Sequence, residues 1–145
     1  MGQAETHRSA QEALKSVMET YKVYKLDVIR GAAKATNKTA KEEAAAVKEE
    51  AERLKIGRGG GYIEGIVYKP SPIFTAERFT DIEAVIYNKE KPQIVHLLEY
   101  GHDVKDSGGR TVGHAKAYPH FKPNEEKFND IYVQRVIEAI EKAGG

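Results

Sequence analysis

A chain of 145 residues has the size of one domain, but its content of 40% hydrophobic and 31% charged residues, without tryptophan, is lean for a compact core and indicates elongated or surface helix. The 23 basic and 22 acidic side chains leave a formal net charge of +1, so the sequence lacks the basic footprint that is typical of a dedicated nucleic-acid-binding protein. The absence of cysteine excludes disulfides, thiol nucleophiles and thiolate zinc sites.

Residues 9–56 are predicted to be helical. Ser9 and Glu12 have the spacing of a capping box, in which side chains satisfy the free N–H groups at a helix start. Apolar side chains then recur every three or four residues, which places them on one stripe of a helix; they are Leu14, Val17, Tyr21, Tyr24 and Val28. A second stripe, out of phase with the first, consists of Ala40, Ala44, Val47, Ala51 and Leu54.

The change of phase falls at residues 36–39, where Thr39 and Glu42 form a second capping-box pattern. The sequence therefore allows two interpretations, a kinked pair of helices or one continuous helix that changes face. A continuous helix would span roughly 70 Å, and its second half is too rich in alanine and charge to be stabilised by its own apolar burial. We expect that half to pack against a partner, in the same molecule or in a neighbouring subunit.

The glycine-rich residues 57–61 are predicted to end this helix and to form a hinge. This hinge divides the chain into an N-terminal helical segment, 1–56, and a core of helices and strands, 57–145. Residues 62–68 are predicted to be a strand. Residues 69–80 contain two prolines and are predicted to form a loop or an exposed hairpin arm.

In the rest of the chain, apolar residues alternate over 81–88 as they do in a strand. Pro92 opens a predicted short helix that Gly101 ends. Residues 102–110 are predicted to be a mobile loop and residues 111–117 a third strand, and a last helix follows. This order predicts an α+β fold with a long N-terminal helix, a small, mainly antiparallel sheet, a short middle helix and a C-terminal helix.

Four histidines lie in one region of the sequence and raise the hypothesis of a metal site, because zinc binds imidazole nitrogen readily; they are His96, His102, His114 and His120. Zinc-binding histidine pairs are usually closer in sequence than these, which stand six residues apart within each pair. No cysteine can complete a ligand set. We therefore favour structural or surface roles for the four and predict no metal or other cofactor.

One cluster in the sequence raises the hypothesis of acid–base catalysis. It consists of Glu99 with His96 and His102 at the end of the predicted middle helix. Glu99 can equally anchor the following loop by accepting backbone N–H bonds. The glycine-rich residues 57–61 lack the preceding strand and the following Lys-Ser/Thr of a phosphate-binding loop. We therefore predict neither an enzyme nor a phosphate site.

Residues 85–128 contain an ordered series of short motifs. A strand ending in Tyr-Asn is followed by a Leu-Leu-Glu-x-Gly-His turn, a Gly-Gly-Arg loop, a Pro-His-x-x-Pro sequence, a Glu-Glu pair and a closing helix. The matching positions are Tyr87, Asn88, His96, Leu97, Leu98, Glu99, Gly101, His102, Gly108, Gly109, Arg110, Pro119, His120, Pro123, Glu125 and Glu126. In order and spacing, this segment resembles the head–tail joining, or tail-completion, family of long-tailed phages, the gene-product-ten-like family of siphophages.

The resemblance implies a subunit that acts by assembly, without catalysis, in a ring of usually six copies at the head–tail junction of the virion. Such a ring caps the tail tube or joins it to the stopper or connector beneath the portal, and DNA passes through it without specific binding. No apolar run approaches the ~18 residues of a membrane span, so we expect a soluble protein made in the host cytoplasm. The alternatives are another connector ring of the neck, a small histidine-dependent metalloenzyme and a DNA-binding accessory protein.

Two groups of site residues are predicted, and neither is catalytic or metal-binding. Contacts with partner subunits are expected from Arg58, Ile73, Phe74, His102 and Arg110. Structural motif positions are expected at Glu99, Gly101, Gly109, Pro119, His120 and Pro123.

Overall fold

The computed structural model describes residues 9–57 and 60–143. Within these ranges the elements are α1 (Ala10–Arg53), β1 (Ile66–Lys69), β2 (Val85–Asn88), α2 (Pro92–Tyr100), β3 (His102–Lys105), β4 (Thr111–Ala115) and α3 (Lys122–Lys142), with a 3₁₀ turn at Phe79–Asp81. The predicted α+β fold and its three helices are confirmed. The strands form two separate antiparallel pairs, β1 with β2 and β3 with β4.

α1 is one unbroken helix of 44 residues, about 66 Å long at the standard rise per residue. Of the two interpretations of the sequence, the structure therefore has the continuous helix. Ser9 caps its start as predicted, because the Ser9 hydroxyl accepts the N–H groups of Gln11 and Glu12 at 3.1 and 3.5 Å. The helix ends at Arg53, slightly before the predicted end.

The Thr-Asn-Lys-Thr segment that looked like a helix start attaches α1 to α3 instead. Thr36 and Thr39 each donate a hydroxyl to a carbonyl oxygen one turn earlier, at 2.8 Å, which leaves the helix intact. The Thr36 hydroxyl also lies 2.8 Å from that of Tyr132, and Arg135 donates to Thr39 at 3.2 Å. Glu42, the expected capping partner, forms an ion pair with Arg135 at 2.6 Å.

α3 packs antiparallel along the middle of α1. Gly31 lies against Ala139, so closely that a β-carbon at Gly31 would be 3.3 Å from the Ala139 β-carbon, and Thr36 meets Tyr132 further along. α3 ends near Gly31, whereas α1 continues towards its own start. Residues 10–25 of α1 therefore project beyond α3, and each of them is exposed.

The main core lies at the other end of α1. Its buried members are Val47, Ala51, Ile56, Tyr62 and Ile66, and half-buried side chains of α2 and of the segment before α3 pack on it, namely Ile94, Val95, Leu98, Tyr118 and Phe121. The second stripe predicted from the sequence is thus the buried one, and its expected partner is intramolecular. Among the described residues, none of the helices combines the length and apolar character needed to cross a membrane.

Both predicted strands of the first pair start later than expected. Residues 62–65 form a turn, because the Tyr62 side chain enters the core and the Gly65 N–H bonds back to the carbonyls of Gly61 and Tyr62 at 3.1 and 3.2 Å. The second strand starts at Val85, since the Asp81 carboxylate accepts two preceding N–H groups, at 2.9 and 3.0 Å, and holds a 3₁₀ turn there.

The segment 69–80, predicted to be a loop or an exposed hairpin arm, is a loop that Ser71 fixes to α1. Ser71 is buried, and its backbone N–H and carbonyl pair with the Asn37 side-chain amide at 2.7 and 3.0 Å. Ala76 is also buried. Between these two buried residues Phe74 is 75% exposed, so the loop displays an aromatic side chain.

The prediction of a loop over 102–110 is wrong for its first part, where His102–Lys105 forms β3 and pairs with β4. The remaining residues are the hairpin turn, in which the Asp106 carboxylate accepts the N–H groups of Gly108 and Arg110, both at 2.9 Å. Nearly all side chains of this hairpin are exposed. The sequence therefore lacks the apolar alternation that predicts a half-buried strand.

Candidate functional site

Glu99 is the centre of a buried polar cluster between the end of α2 and the start of α3. Its carboxylate accepts the backbone N–H groups of His120 at 2.8 Å, Phe121 at 2.6 Å and Lys122 at 3.3 Å. The first N–H groups of a helix have no partner within the helix, and the helix dipole favours negative charge there. Phe121, the residue before α3, supplies no side-chain cap, so Glu99 caps α3 from a distant part of the chain.

His120 is completely buried in the same cluster. Its Nδ1 lies 2.8 Å from the Tyr118 carbonyl oxygen and 2.9 Å from the Glu99 carboxylate, and its Nε2 lies 2.6 Å from the Tyr62 hydroxyl. Burial, together with the nearby Glu99 charge, raises the pKa of the Tyr62 hydroxyl. The hydroxyl therefore stays protonated and can donate to Nε2, while Nδ1 donates to the Tyr118 carbonyl oxygen.

Two buried asparagines extend the cluster. The Asn88 amide donates to the Tyr62 carbonyl at 2.8 Å, and its oxygen accepts two N–H groups of the turn that leads into α2, at 3.0 and 2.9 Å. The Asn124 amide donates to the His120 carbonyl at 2.8 Å. The Tyr-Asn and Pro-His motifs of the sequence thus supply parts of one hydrogen-bonded scaffold.

The remaining predicted motif positions shape the backbone around this cluster. Gly101, at φ 72° and ψ 176°, has a conformation that is essentially restricted to glycine, and a β-carbon there would lie 2.5 Å from the Ala115 carbonyl oxygen. Gly109 has φ 80° in the hairpin turn. Pro123 lies in the first turn of α3, where a missing N–H costs nothing. Pro119 is exposed immediately before His120.

The geometry of the cluster fits a structural role. The Glu99 carboxylate is occupied by three N–H groups, and the imidazole that it contacts has no solvent-accessible surface. The other members of the acid–base hypothesis lie elsewhere: the His96 ring packs against Tyr100, with centroids 4.9 Å apart, and His102 is exposed in β3. Of the two interpretations of Glu99, the structure has the one in which it anchors the following segment.

The four histidines do not converge on one point. The His114 Nδ1 lies 3.2 Å from the Asp103 carboxylate across the exposed hairpin. His120, in contrast, is completely buried. Across residues 9–57 and 60–143, no three His, Asp or Glu side chains are arranged to hold a metal ion. The described geometry therefore offers no support for the metal hypothesis.

The predicted partner-contact residues fall on two separate surfaces. Phe74 lies beside Arg30, whose guanidinium carbon is 5.7 Å from the ring centroid, and both border a groove at the C-terminal end of α3 together with Ala143. His102 and Arg110 are exposed on the β3–β4 hairpin. Ile73 is half-buried, and Arg58 lies outside the described residues.

Sequence reasoning did not predict which apolar surfaces stay exposed. The exposed fractions of Leu14, Val17, Tyr21 and Tyr24 lie between 40% and 62%, so the first stripe of α1 is uncovered in the single chain. The second half of the helix has the partner that we expected, within the same molecule, whereas the first half stays uncovered. Three further apolar side chains, on the outer face of α3, are 39–48% exposed: Val133, Ile137 and Ile140. The spacing of Val133, Ile137 and Ile140 by four and three residues is a helical signal from which this second surface could have been predicted.

Comparison of the chain with protein-family models, with curated proteins and with solved structures finds no match in any of the three.

Proposed function

We propose that this chain is a structural subunit of the head–tail interface of a long-tailed phage. It would complete the tail, or join it to the head, by assembling into the six-membered ring that the sequence resemblance implies. The proposal rests on the motif series in residues 85–128 and on the distribution of buried and exposed side chains. It needs no catalytic group.

The role of the motif residues supports this proposal. Asn88, Glu99, Gly101 and His120 each fix a chain reversal or a helix start, by buried hydrogen bonds or by a backbone conformation that only glycine tolerates. Such residues define a fold rather than a binding pocket. A series of motifs that specifies a scaffold is what a family of assembly subunits would share.

The observation that carries the proposal is the uncovered first part of α1. Residues 10–25 project from the body as a helix, and their apolar stripe meets no other element of the described chain. A contiguous exposed apolar surface usually marks an interaction site, and an isolated amphipathic helix gains most of its stability from packing. The helix is therefore suited to a molecule that is completed by its neighbours.

The near-zero net charge favours a subunit of a ring through which DNA passes over a subunit that binds DNA tightly. The formal net charge of +1 gives no general attraction to phosphate, and strong binding would need several lysine or arginine contacts. A ring around the DNA path would hold stoppers or connectors on one side and the tail tube on the other. The two separate exposed surfaces, near Phe74 and on the hairpin, are suited to two such partners.

The test is electron microscopy of lysates from a phage that carries this gene after the gene has been deleted. Filled heads beside separate, finished tails are expected for a joining subunit, and overlong tails for a subunit that terminates the tail. Heads that have lost their DNA would instead assign the chain to a neighbouring connector ring. Wild-type protein supplied from a plasmid must restore normal particles in each case. Normal virions without the gene would contradict the proposal.

A further inference from the structure

One face of α1 carries a row of basic side chains. Successive residues of a helix are turned by about 100°, and on this count five lysine and arginine side chains fall within an arc of about 80°. They are Arg30, Lys34, Lys38, Lys41 and Lys48. The row is about 27 Å long at the standard rise per residue, and we call it the basic ridge.

The basic ridge lies on the side of α1 that faces away from the core. Lys34, Lys38 and Lys41 are exposed, and Arg30 and Lys48 are half-buried. The first three members of the ridge line the groove between α1 and the C-terminal half of α3, and the last two line a second groove between α1 and β1. Both grooves therefore adjoin the same basic face.

No acidic side chain interrupts the ridge. Within its arc, the one further position between Arg30 and Lys48 is Ala45. Glu42 lies beside the arc, but it forms an ion pair with Arg135 at 2.6 Å. Among the residues that the structure describes, none of the five ridge side chains forms an ion pair with a carboxylate. The ridge is therefore free to pair with an external anion.

Four carboxylates lie near the two ends of the ridge. Asp27 precedes it, and Glu49 and Glu52 follow its last member along the helix. Glu138 lines the first groove from α3, together with Lys142, which balances its charge. The positive surplus is therefore concentrated in the middle of the ridge, where the three exposed lysines lie.

The formal net charge of the chain conceals this segregation. Of the 23 basic side chains the ridge holds five, which leaves 18 elsewhere against all 22 acidic ones. Part of the acidic surplus lies towards the other end of α3, where burial, together with the Glu125 charge, raises the pKa of the Glu43 carboxyl. A balanced composition is therefore compatible with a local site for an anion.

The chemistry of the ridge favours a phosphate polymer over a protein. The core of an interface between proteins is apolar and enriched in aromatic side chains, whereas between Lys34 and Lys48 the arc presents only lysines and Ala45. A nucleic-acid backbone offers a regular row of negative charge that needs only cations as partners. Lysine and arginine side chains clustered along one helix are the electrostatic footprint of nucleic-acid binding.

We propose that the basic ridge contacts the phosphate backbone of duplex DNA. The contact has no sequence preference, because contacts with phosphate carry no information on the bases. Non-specific binding of this kind has dissociation constants of about 10⁻⁴–10⁻⁶ M and lets a protein slide along DNA. The inference rests on the proposed function for the source of the DNA, since the ridge of each subunit would face the passage through the ring.

Fluorescence anisotropy of a labelled DNA duplex, titrated with the purified full chain at several salt concentrations, tests this contact. The wild type is expected to bind, and the logarithm of its association constant should fall with the logarithm of the salt concentration with a slope of about −4. Replacement of Lys34, Lys38 and Lys41 by glutamine is expected to remove about 3 from the size of this slope and to weaken binding at low salt at least about tenfold.

The matched control replaces Lys15, Lys22 and Lys25 by glutamine. These lysines are exposed on the same helix but lie outside the arc of the ridge, and the control has the same net charge as the ridge variant. It is expected to bind the duplex almost as the wild type does. Circular dichroism of both variants checks that the helices remain.

Two results would overturn the contact with DNA directly: no salt-dependent binding by the wild type, and equal losses of affinity in the two triple variants. Titration of a labelled polyglutamate peptide tests the other class of partner. A wild type that binds this peptide more tightly than the duplex would assign the ridge to an acidic protein and would also overturn the proposal.

These outcomes are separable from the test of the proposed function. Normal virions after deletion of the gene would remove the head–tail role but would leave the binding measured with purified protein in place. A wild type that does not bind the duplex would remove the contact proposed here, while a joining defect in the deleted phage would still stand.

Discussion

Glu99 joins three parts of the chain that are far apart in sequence. It belongs to α2, its carboxylate accepts the N–H groups at the start of α3, and it contacts His120, which in turn meets the Tyr62 hydroxyl near the end of α1. A buried carboxylate is costly to desolvate, and the cost is offset here because several N–H donors surround it. Its main effect is to fix the direction in which α3 leaves the core.

Removal of this carboxylate is expected to destabilise the protein strongly. Glu99→Ala leaves two or three buried N–H groups without an acceptor, at a cost of about 3 kcal/mol or more in the free energy of unfolding. Glu99→Gln keeps one acceptor oxygen and should cost less, about 1–2 kcal/mol. Urea unfolding followed by circular dichroism measures both values.

The exposed Glu126, in the first turns of α3, provides the control for this measurement. Glu126→Gln is expected to change stability by no more than about 0.5 kcal/mol. Equal stability of Glu99→Ala and Glu126→Gln would contradict the capping role of Glu99.

At the scale of elements, two glycines shape the connections around the β3–β4 hairpin under different constraints. Gly101 turns the chain from α2 into β3. Its backbone conformation is essentially restricted to glycine, and a β-carbon there would clash with the Ala115 carbonyl oxygen. Gly109 has a positive φ in the hairpin turn, but the space around it is open. The hairpin can therefore tolerate a change at its tip far better than at its base.

The two alanine variants separate these constraints. Gly109→Ala is expected to cost about 1 kcal/mol, which is the backbone penalty of a left-handed conformation. Gly101→Ala should cost at least about 3 kcal/mol, because the strain of its conformation is added to a steric clash. Thermal unfolding of both variants beside the wild type measures the difference, and an equal loss of stability would show that the close approach to Ala115 has no consequence.

The elements that the sequence predicts well are those with local signals. Pro92 and Gly101 mark the ends of α2, and Ser9 marks the start of α1, because each acts through its own backbone or side chain. Tyr62 and Thr39 misled the prediction, since their tertiary partners, His120 and Arg135, lie far away in sequence. A pattern that resembles a strand or a helix cap carries no information on such partners.

The candidate site was only partly predictable for the same reason. Glu99 and His120 were selected as structural positions, and Phe74 as an exposed one, from motifs and from the composition of the loop. The exposed apolar stripe on the outer face of α3 was missed. Val133 and Ile137 there have ordinary helical spacing, and only the packing of α3 on α1 decides which of its faces remains exposed.

At the scale of the whole molecule, the unusual feature is a long helix that is covered over one part and uncovered over the other. The covered part is held by α3 and by the core around Val47 and Ile66. The uncovered part, residues 10–25, carries an exposed apolar stripe. Under the proposed function, a neighbouring subunit would cover it.

The most direct test of the central claim is a cryo-electron microscopy map of the neck of the phage that carries this gene. The account predicts a ring of copies of this chain between portal and tail tube. Absence of the chain from purified virions would contradict the head–tail role.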